Sequence, residues 1–281
     1  MKVLSVTGGV PKYLEEINTK ISAEANIKKL CFTKGGFLVD EFKRIFSDLF
    51  LRESEFYKKI VRTLADGSKT EKEICTSIGI NRSGRIPEYL EELEISGFVT
   101  RDYSWNIKTG ADKRLSKYRL SDNYLRFFLK YIEKNISKIN RDIFVLKSLS
   151  SLPGFDSIMG LQLENLILNN REFIHKHLGI VPDEIITSNP YFQRAKGSNL
   201  GCQIDYMIQT KFNTLYICEI KFVQQPIGVS IIREIENKIK VLKFAKNFSI
   251  RPVLIYLESV TDEVLNSDFF ARIINATELL E

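Results

Sequence analysis

The chain has 281 residues, 44% hydrophobic and 27% charged, with a net charge of +6 and a pI near 9.0. That balance describes a globular protein with room for two or three domains, and its basic excess suits a polyanionic partner. No run is long and apolar enough to span a bilayer, and no basic segment followed by an apolar core marks a secretion signal. The four cysteines, Cys31, Cys75, Cys202 and Cys218, have neither CxxC nor zinc spacing, as expected of reduced thiols in a cytoplasmic protein.

The first fifty residues read as helical. Val6 to Leu14 forms a loop into a short helix, in which the Gly8-Gly9 pair makes the entry turn. Leu14, Ile17 and Ile21 recur at helical spacing. A second helix covers Ala23 to Phe32. After the Thr33-Lys34-Gly35-Gly36 break, a third runs from Val39 to Leu51 with Phe42, Ile45, Phe46 and Leu49 as its apolar stripe.

From Ser54 to Leu120 the pattern is that of a winged helix-turn-helix. Its first helix is Phe56 to Leu64, and Thr70 with Glu73 makes a capping box for a second, Glu71 to Ile78. Gly79 is the turn, and Pro87 suits the first turn of a third helix that stops at Gly97. A strand begins at Phe98 and returns over Ser116 to Leu120. The polar wing between holds Trp105, Lys108, Lys113 and Arg114. In such modules the third helix enters the major groove and the wing contacts phosphates, which makes Arg82, Arg85, Lys108, Lys113 and Arg114 the DNA-contact candidates. Glu88, Glu91, Glu92 and Glu94 load the third helix with negative charge, so the basic wing is the better candidate. The alternative is a winged helix used for protein contacts or domain packing. Tyr124 to Ile132 is aromatic-rich and reads as core, and Pro153-Gly154 marks a boundary.

Beyond it, Glu164 sits on a helical face with Leu161, Ile167 and Leu168 as neighbours. His175 and His177 read as helix-end residues. Glu184 to Thr187 reads as an edge strand, and Tyr191 to Asn199 as a basic polar loop. Two strands follow, Cys202 to Ile208 and Leu215 to Phe222, joined around Thr210 to Asn213. The first carries Asp205 and the second Glu219-Ile220-Lys221, charges among apolar neighbours that must pair or hold a metal. Glu219 and Lys221 share a face. Asp205 joins them only with an effective five-residue loop or a bulge, because a one-residue slip flips the face. Otherwise the pattern is a surface salt bridge between Glu219 and Lys221. Val229 to Phe244 reads as a helix, Pro252 to Leu257 as an internal strand, and Phe269 to Leu280 as a closing helix.

The ordered set of Glu helix, Asp strand and Glu-x-Lys strand resembles the core of the PD-(D/E)xK nuclease superfamily, over roughly the last 130 residues. The resemblance implies that Glu164, Asp205 and Glu219 hold Mg²⁺ or Mn²⁺ and that Lys221 positions water and phosphate. Carboxylates are the hard ligands that such ions take. The phrase Thr7-Gly8-Gly9-Val10-Pro11-Lys12-Tyr13-Leu14 resembles the helical lid of a family of archaeal and bacterial AAA+ ATPases. In that family a winged helix and a C-terminal domain follow it, as here. No GxxxxGK[ST] phosphate loop occurs, so no ATP binding is expected.

The expected fold class is α+β multidomain: a helical lid remnant (1–52), a winged helix-turn-helix (53–120), a helical connector (121–152) and an α/β nuclease-like domain with a mixed sheet (153–281). The expected activity is metal-dependent DNA cleavage. The alternative is a non-catalytic DNA-binding or protein-interaction regulator that keeps the fold. DNA is the expected partner, with a protein partner or a homo-oligomer also open.

Overall fold

A computed structural model describes residues 1–50, 53–80, 84–195, 200–242 and 247–280. It divides the chain into two compact units, Met1–Arg101 with Lys117–Asn165, and Asp102–Ser116 with Leu166–Glu281. The secondary structure is mixed α and β, with a two-stranded and a five-stranded sheet. Among the described residues no helix is long and apolar enough to cross a membrane.

The first unit begins with four helices, α1 (Lys2–Thr7), α2 (Pro11–Glu15), α3 (Ala23–Phe32) and α4 (Phe37–Leu49). Where a loop was expected at Val6, α1 instead runs through Thr7 and stops at Gly8, whose φ of 67° provides the left-handed cap. The break before α4 depends on Gly36. A Cβ there would lie 2.6 Å from the Leu30 carbonyl oxygen, so only glycine lets the two helices approach this closely. Next come α5 (Ser54–Leu64), α6 (Glu71–Ile78) and α7 (Ile86–Ile95), with the Thr70–Glu73 capping box formed as expected. The hairpin of β1 (Val99–Trp105) and β2 (Asp112–Leu120) follows, then α8 (Asn123–Phe127), which widens into a π turn over Phe128–Ile132, α9 (Ile136–Asn140) and α10 (Phe155–Asn169). The aromatic run Tyr124–Ile132 is core, as its composition suggests: Phe128 stacks on Phe42 at 4.3 Å, and Phe127 meets Phe32 edge-on.

A buried polar network crosses this core. Asn165 donates to the Leu120 carbonyl (2.8 Å) and to Asn123 Oδ1 (2.9 Å), and it accepts from Arg119 (2.6 Å). Arg126 donates to Gln162 Oε1 (3.0 Å) and to the Leu120 carbonyl (2.6 Å), and Gln162 donates to the Asn123 carbonyl (2.7 Å). Such partners make burial of these groups tolerable. Burial still lowers the Arg126 pKa to about 10, against the opposing charge of Glu164.

The second unit adds α11 (Arg171–His177), β3 (Ile185–Gln193), β4 (Cys202–Thr210), β5 (Thr214–Lys221), α12 (Ser230–Val241), β6 (Ser249–Tyr256), α13 (Asp262–Leu265) and β7 (Arg272–Asn275). The sheet order is β3-β4-β5-β6-β7. The first two pairings are antiparallel and the last two parallel. Parallel pairing needs a crossover, which α12 supplies between β5 and β6. Its Ile231 and Ile235 pack with Met207, Leu215, Ile217 and Leu254, and this fixes which face of the sheet α12 covers.

Two local expectations change and one holds. β3 extends past Thr187 to Gln193, taking in Tyr191 to Gln193 from the expected loop, of which residues 196–199 lie outside the described set. β6 is internal, as its apolar run suggests. The closing helix is absent: Arg272–Asn275 is a parallel edge strand on β6, followed by a 3₁₀ turn over Ala276–Leu280. The β-branched pair Ile273-Ile274 favours the strand, and the free edge of β6 gives it backbone partners.

Candidate active site

The hairpin of β4 and β5 has the register that joins Asp205 to the Glu219 face. The observed pairs are Tyr206 with Cys218, Met207 with Ile217, Ile208 with Tyr216 and Gln209 with Leu215. Gln209 opposite Leu215 leaves five residues between them, the loop length expected above. The ladder ends at Tyr206 with Cys218; the same register continued by one step would set Asp205 across from Glu219.

Asp205 is also a point where the ladder opens. Against β3 the register shifts by one residue between Asn189 and Tyr191, at Pro190, which has no N–H to give. The extra residue in β4 lets Ile204 and Met207 pack in the same core cluster, with Asp205 and Tyr206 between them. Bulges of this kind re-aim side chains. Here Asp205 Oδ2 accepts the backbone N–H of Ile220 at 2.9 Å, so the carboxylate is fixed against β5 at the residue that follows Glu219.

Glu219 is only 2% exposed, and a carboxylate so buried needs compensation. It has two cations. Lys221 Nζ lies 3.1 Å from Oε1 and Lys238 Nζ 2.5 Å from Oε2. Lys221 is shared with Glu234 of α12 at 2.9 Å. Burial works against the charge on each lysine. For Lys221 the Glu219 charge and the hydrogen bonds to Glu234 and Glu219 outweigh it, and for Lys238 the charges of Asp205 and Glu219 do; both pKa values are raised. The site is therefore Asp205 and Glu219 with two ammonium groups and a third carboxylate, Glu234, on Lys221, drawn from a hairpin and from the helix that covers it.

Lys238 was not among the expected site residues. On α12 it is one of several basic side chains, with Arg233 and Lys240, a composition usual for a solvated helix face. Its signal was the helical spacing itself: Lys238 is three residues from Ile235 and seven from Ile231, the two positions that face the core.

Glu164 lies on the part of α10 that belongs to the first unit, where its charge acts on Arg126. Among the described residues no three His, Cys, Asp or Glu side chains form a metal-binding group. His175 is tied to the Tyr206 hydroxyl at 2.6 Å, and burial lowers its pKa. His177 pairs with Glu278 at 2.9 Å. A cleft of about 890 Å³ beside these residues includes Arg171, Lys176 and His177. Its Arg171 is already bound to the Ser188 carbonyl and Asn189 Oδ1.

The tip of the β1–β2 hairpin belongs to the second unit. Trp105 is fully buried, donates to Gln209 Oε1 at 2.8 Å and meets Tyr191 edge-on at 5.0 Å. Gln209 donates in turn to the Ile107 carbonyl, and Ser104 to the Phe192 carbonyl. Of the DNA-contact candidates, Lys108, Lys113 and Arg114 are exposed, and the Lys113 ammonium lies 5.7 Å from the Tyr191 ring centroid. Arg85 pairs with Glu53 at 3.4 Å, and Arg82 lies outside the described residues.

No family model matches the chain. An uncharacterised protein of Methanocaldococcus jannaschii is 27% identical over 173 residues, which cover 59% of this chain and 36% of that protein. The chain thus spans about a third of the length of this curated relative. Among solved structures, a repair endonuclease from Pyrococcus abyssi has a TM-score of 0.27 and 16% identity, over 40% of this chain and 43% of that one. A TM-score of that size fixes neither fold nor function.

Proposed function

We propose that the second unit is a metal-dependent phosphodiesterase acting on DNA. The observation that carries this reading is the β4–β5 register, which sets Asp205 and Glu219-x-Lys221 together on one side of the hairpin. Two carboxylates fit a divalent ion that completes its shell with water and substrate phosphate, as Mg²⁺ commonly does. Asp205 and Glu219 would hold it; Glu164, the further ligand that the PD-(D/E)xK resemblance implies, belongs to the first unit and is not assigned to this site. When bound, the ion polarises the phosphate and lowers the pKa of an attacking water. Lys221, kept protonated and oriented by Glu219 and Glu234, supplies positive charge where the phosphorane-like transition state gathers negative charge.

The test is cleavage of plasmid and single-stranded DNA with Mg²⁺ or Mn²⁺, comparing the chain with Asp205→Asn. Asparagine keeps an acceptor for the Ile220 N–H and removes only the charge. Cutting by the parent that is lost in the variant is the expected result. Cutting that persists in the variant, or its absence in the parent, rejects the reading.

A second reading has its own support: both oxygens of Glu219 are already paired with lysines, as in a non-catalytic regulator that keeps the fold. DNA binding without cutting would select it.

The exposed Lys108 and Arg114 belong to the same unit as the site, and we assign them to the phosphate backbone. Reversing both charges, in Lys108→Glu with Arg114→Glu, should weaken DNA binding and flatten its salt dependence by about one unit of slope per lost contact. An unchanged slope in a fluorescence-anisotropy titration would remove the hairpin tip from the DNA interface.

A further inference from the structure

We propose that Lys238 is a tethered competitor for the cation of this site: its ammonium group holds the acids in the absence of metal, and cation entry displaces it. The inference rests on the metal-dependent reading above and adds a regulatory part to it.

Three observations point to Lys238 rather than Lys221. First, its Nζ sits on Glu219 Oε2, while Lys221 occupies the other oxygen. The oxygen facing α12 is therefore taken by a monovalent charge. Second, Asp205 is among the charges that keep the Lys238 ammonium protonated, beside the Glu219 carboxylate it contacts, so this group feels both acids assigned to the ion. Third, the two lysines are anchored differently. Lys221 is also tied to Glu234 and stays in place when Glu219 turns to another cation. Lys238 reaches the site from the helix flank with its side chain 28% exposed. A long flexible stem of this kind can swing its charged end into water while its methylene groups stay packed.

The physical consequence is a linked equilibrium. Whatever the Lys238 pair contributes to the metal-free state is subtracted from the binding of the ion that replaces it. A partly buried pair of this kind shifts affinity by roughly tenfold. The arrangement also explains how a carboxylate as buried as Glu219 exists without metal: the lysine supplies the charge that a bare site would lack.

The test is direct Mn²⁺ binding to the full chain, followed by loss of the free-ion electron paramagnetic resonance signal, at one pH and ionic strength and without DNA. The proteins compared are the parent, Lys238→Met, Lys238→Arg, Glu219→Gln and Lys240→Met. Lys240 is on the same helix, is 71% exposed and pairs with Glu236, so it controls for the loss of one positive charge. The expected result is Mn²⁺ binding by the parent that Glu219→Gln abolishes, roughly tenfold tighter binding in Lys238→Met, and parental affinity in Lys240→Met and Lys238→Arg. If Glu219→Gln abolishes binding but Lys238→Met binds no tighter than the parent, the competitor is overturned and the metal site stands. Equal tightening in Lys240→Met would also overturn it, because bulk charge would then account for the effect. If neither the parent nor Lys238→Met binds Mn²⁺ in a Glu219-dependent way, the metal site falls and the competitor with it. Lys238→Gln replaces Lys238→Met if circular dichroism shows the latter unfolded.

Discussion

Glu219→Gln will lower metal-dependent DNA cleavage by about 10²–10³-fold, the range seen when one preorganised electrostatic group is removed from a transition state. The same substitution will leave the fold standing. Glutamine fills the same volume at the centre of β5, and its carbonyl still accepts a hydrogen bond from one lysine. The two ammonium groups left behind are each 28% exposed and regain water, so the stability lost should be only ~1–2 kcal/mol, well short of breaking a fully buried pair. Measuring cleavage rate and thermal unfolding on the same protein separates the two effects. Full activity in Glu219→Gln would exclude the carboxylate from the chemistry. Global unfolding would mean that its place in the sheet is structural.

Trp105→Ala will destabilise the second unit by about 3–5 kcal/mol, the usual cost of truncating a buried aromatic side chain. The indole is fully buried, packs against Tyr191, and donates to Gln209, which in turn holds the Ile107 carbonyl. Truncation leaves a cavity and an unpaired amide oxygen together. A fall in Tm of roughly 10–20 °C is expected, read by circular dichroism because the variant has lost the chain's single tryptophan. In the parent that tryptophan is itself the probe: its emission should shift to the red with the unfolding of the β4–β5 sheet. A Tm change under 2 °C would show that the hairpin tip is not part of this core.

The acids of the candidate site were legible because strand chemistry is local. Alternation alone put Glu219 and Lys221 on one face, and the face requirement alone implied the loop length that the pairing of Gln209 with Leu215 shows. Lys238 was legible only as a position three and seven residues from Ile235 and Ile231, not as a partner, because the spacing does not name the carboxylate it meets. Trp105 carried a signal that its polar surroundings hid. Trp105 ends β1 and Ile107 lies in the turn beyond it, both buried, yet the lysines and arginine around them gave the segment the look of a free wing. The buried amides Asn123, Gln162 and Asn165 had no sequence signal, since nothing local tells a buried amide from an exposed one. The C-terminal strand was missed for a related reason: a four-residue strand depends on the open edge of β6, a partner its own residues do not reveal.

Cutting the gene at a single point cannot give two complete parts. The polypeptide passes from one unit to the other at Arg101, returns at Ser116, and leaves again at Asn165. A fragment starting at the Pro153-Gly154 boundary would have every strand of the large sheet but no indole beside Tyr191 and no Ile107 under Gln209. Excising Asp102–Ser116 from the other fragment would in turn remove most of β1 and β2 along with their connection. In evolutionary terms, such a chain resists recombination by simple swapping of its halves. Either half can acquire a new companion only by carrying the hairpin with it or by rebuilding the ground it covers.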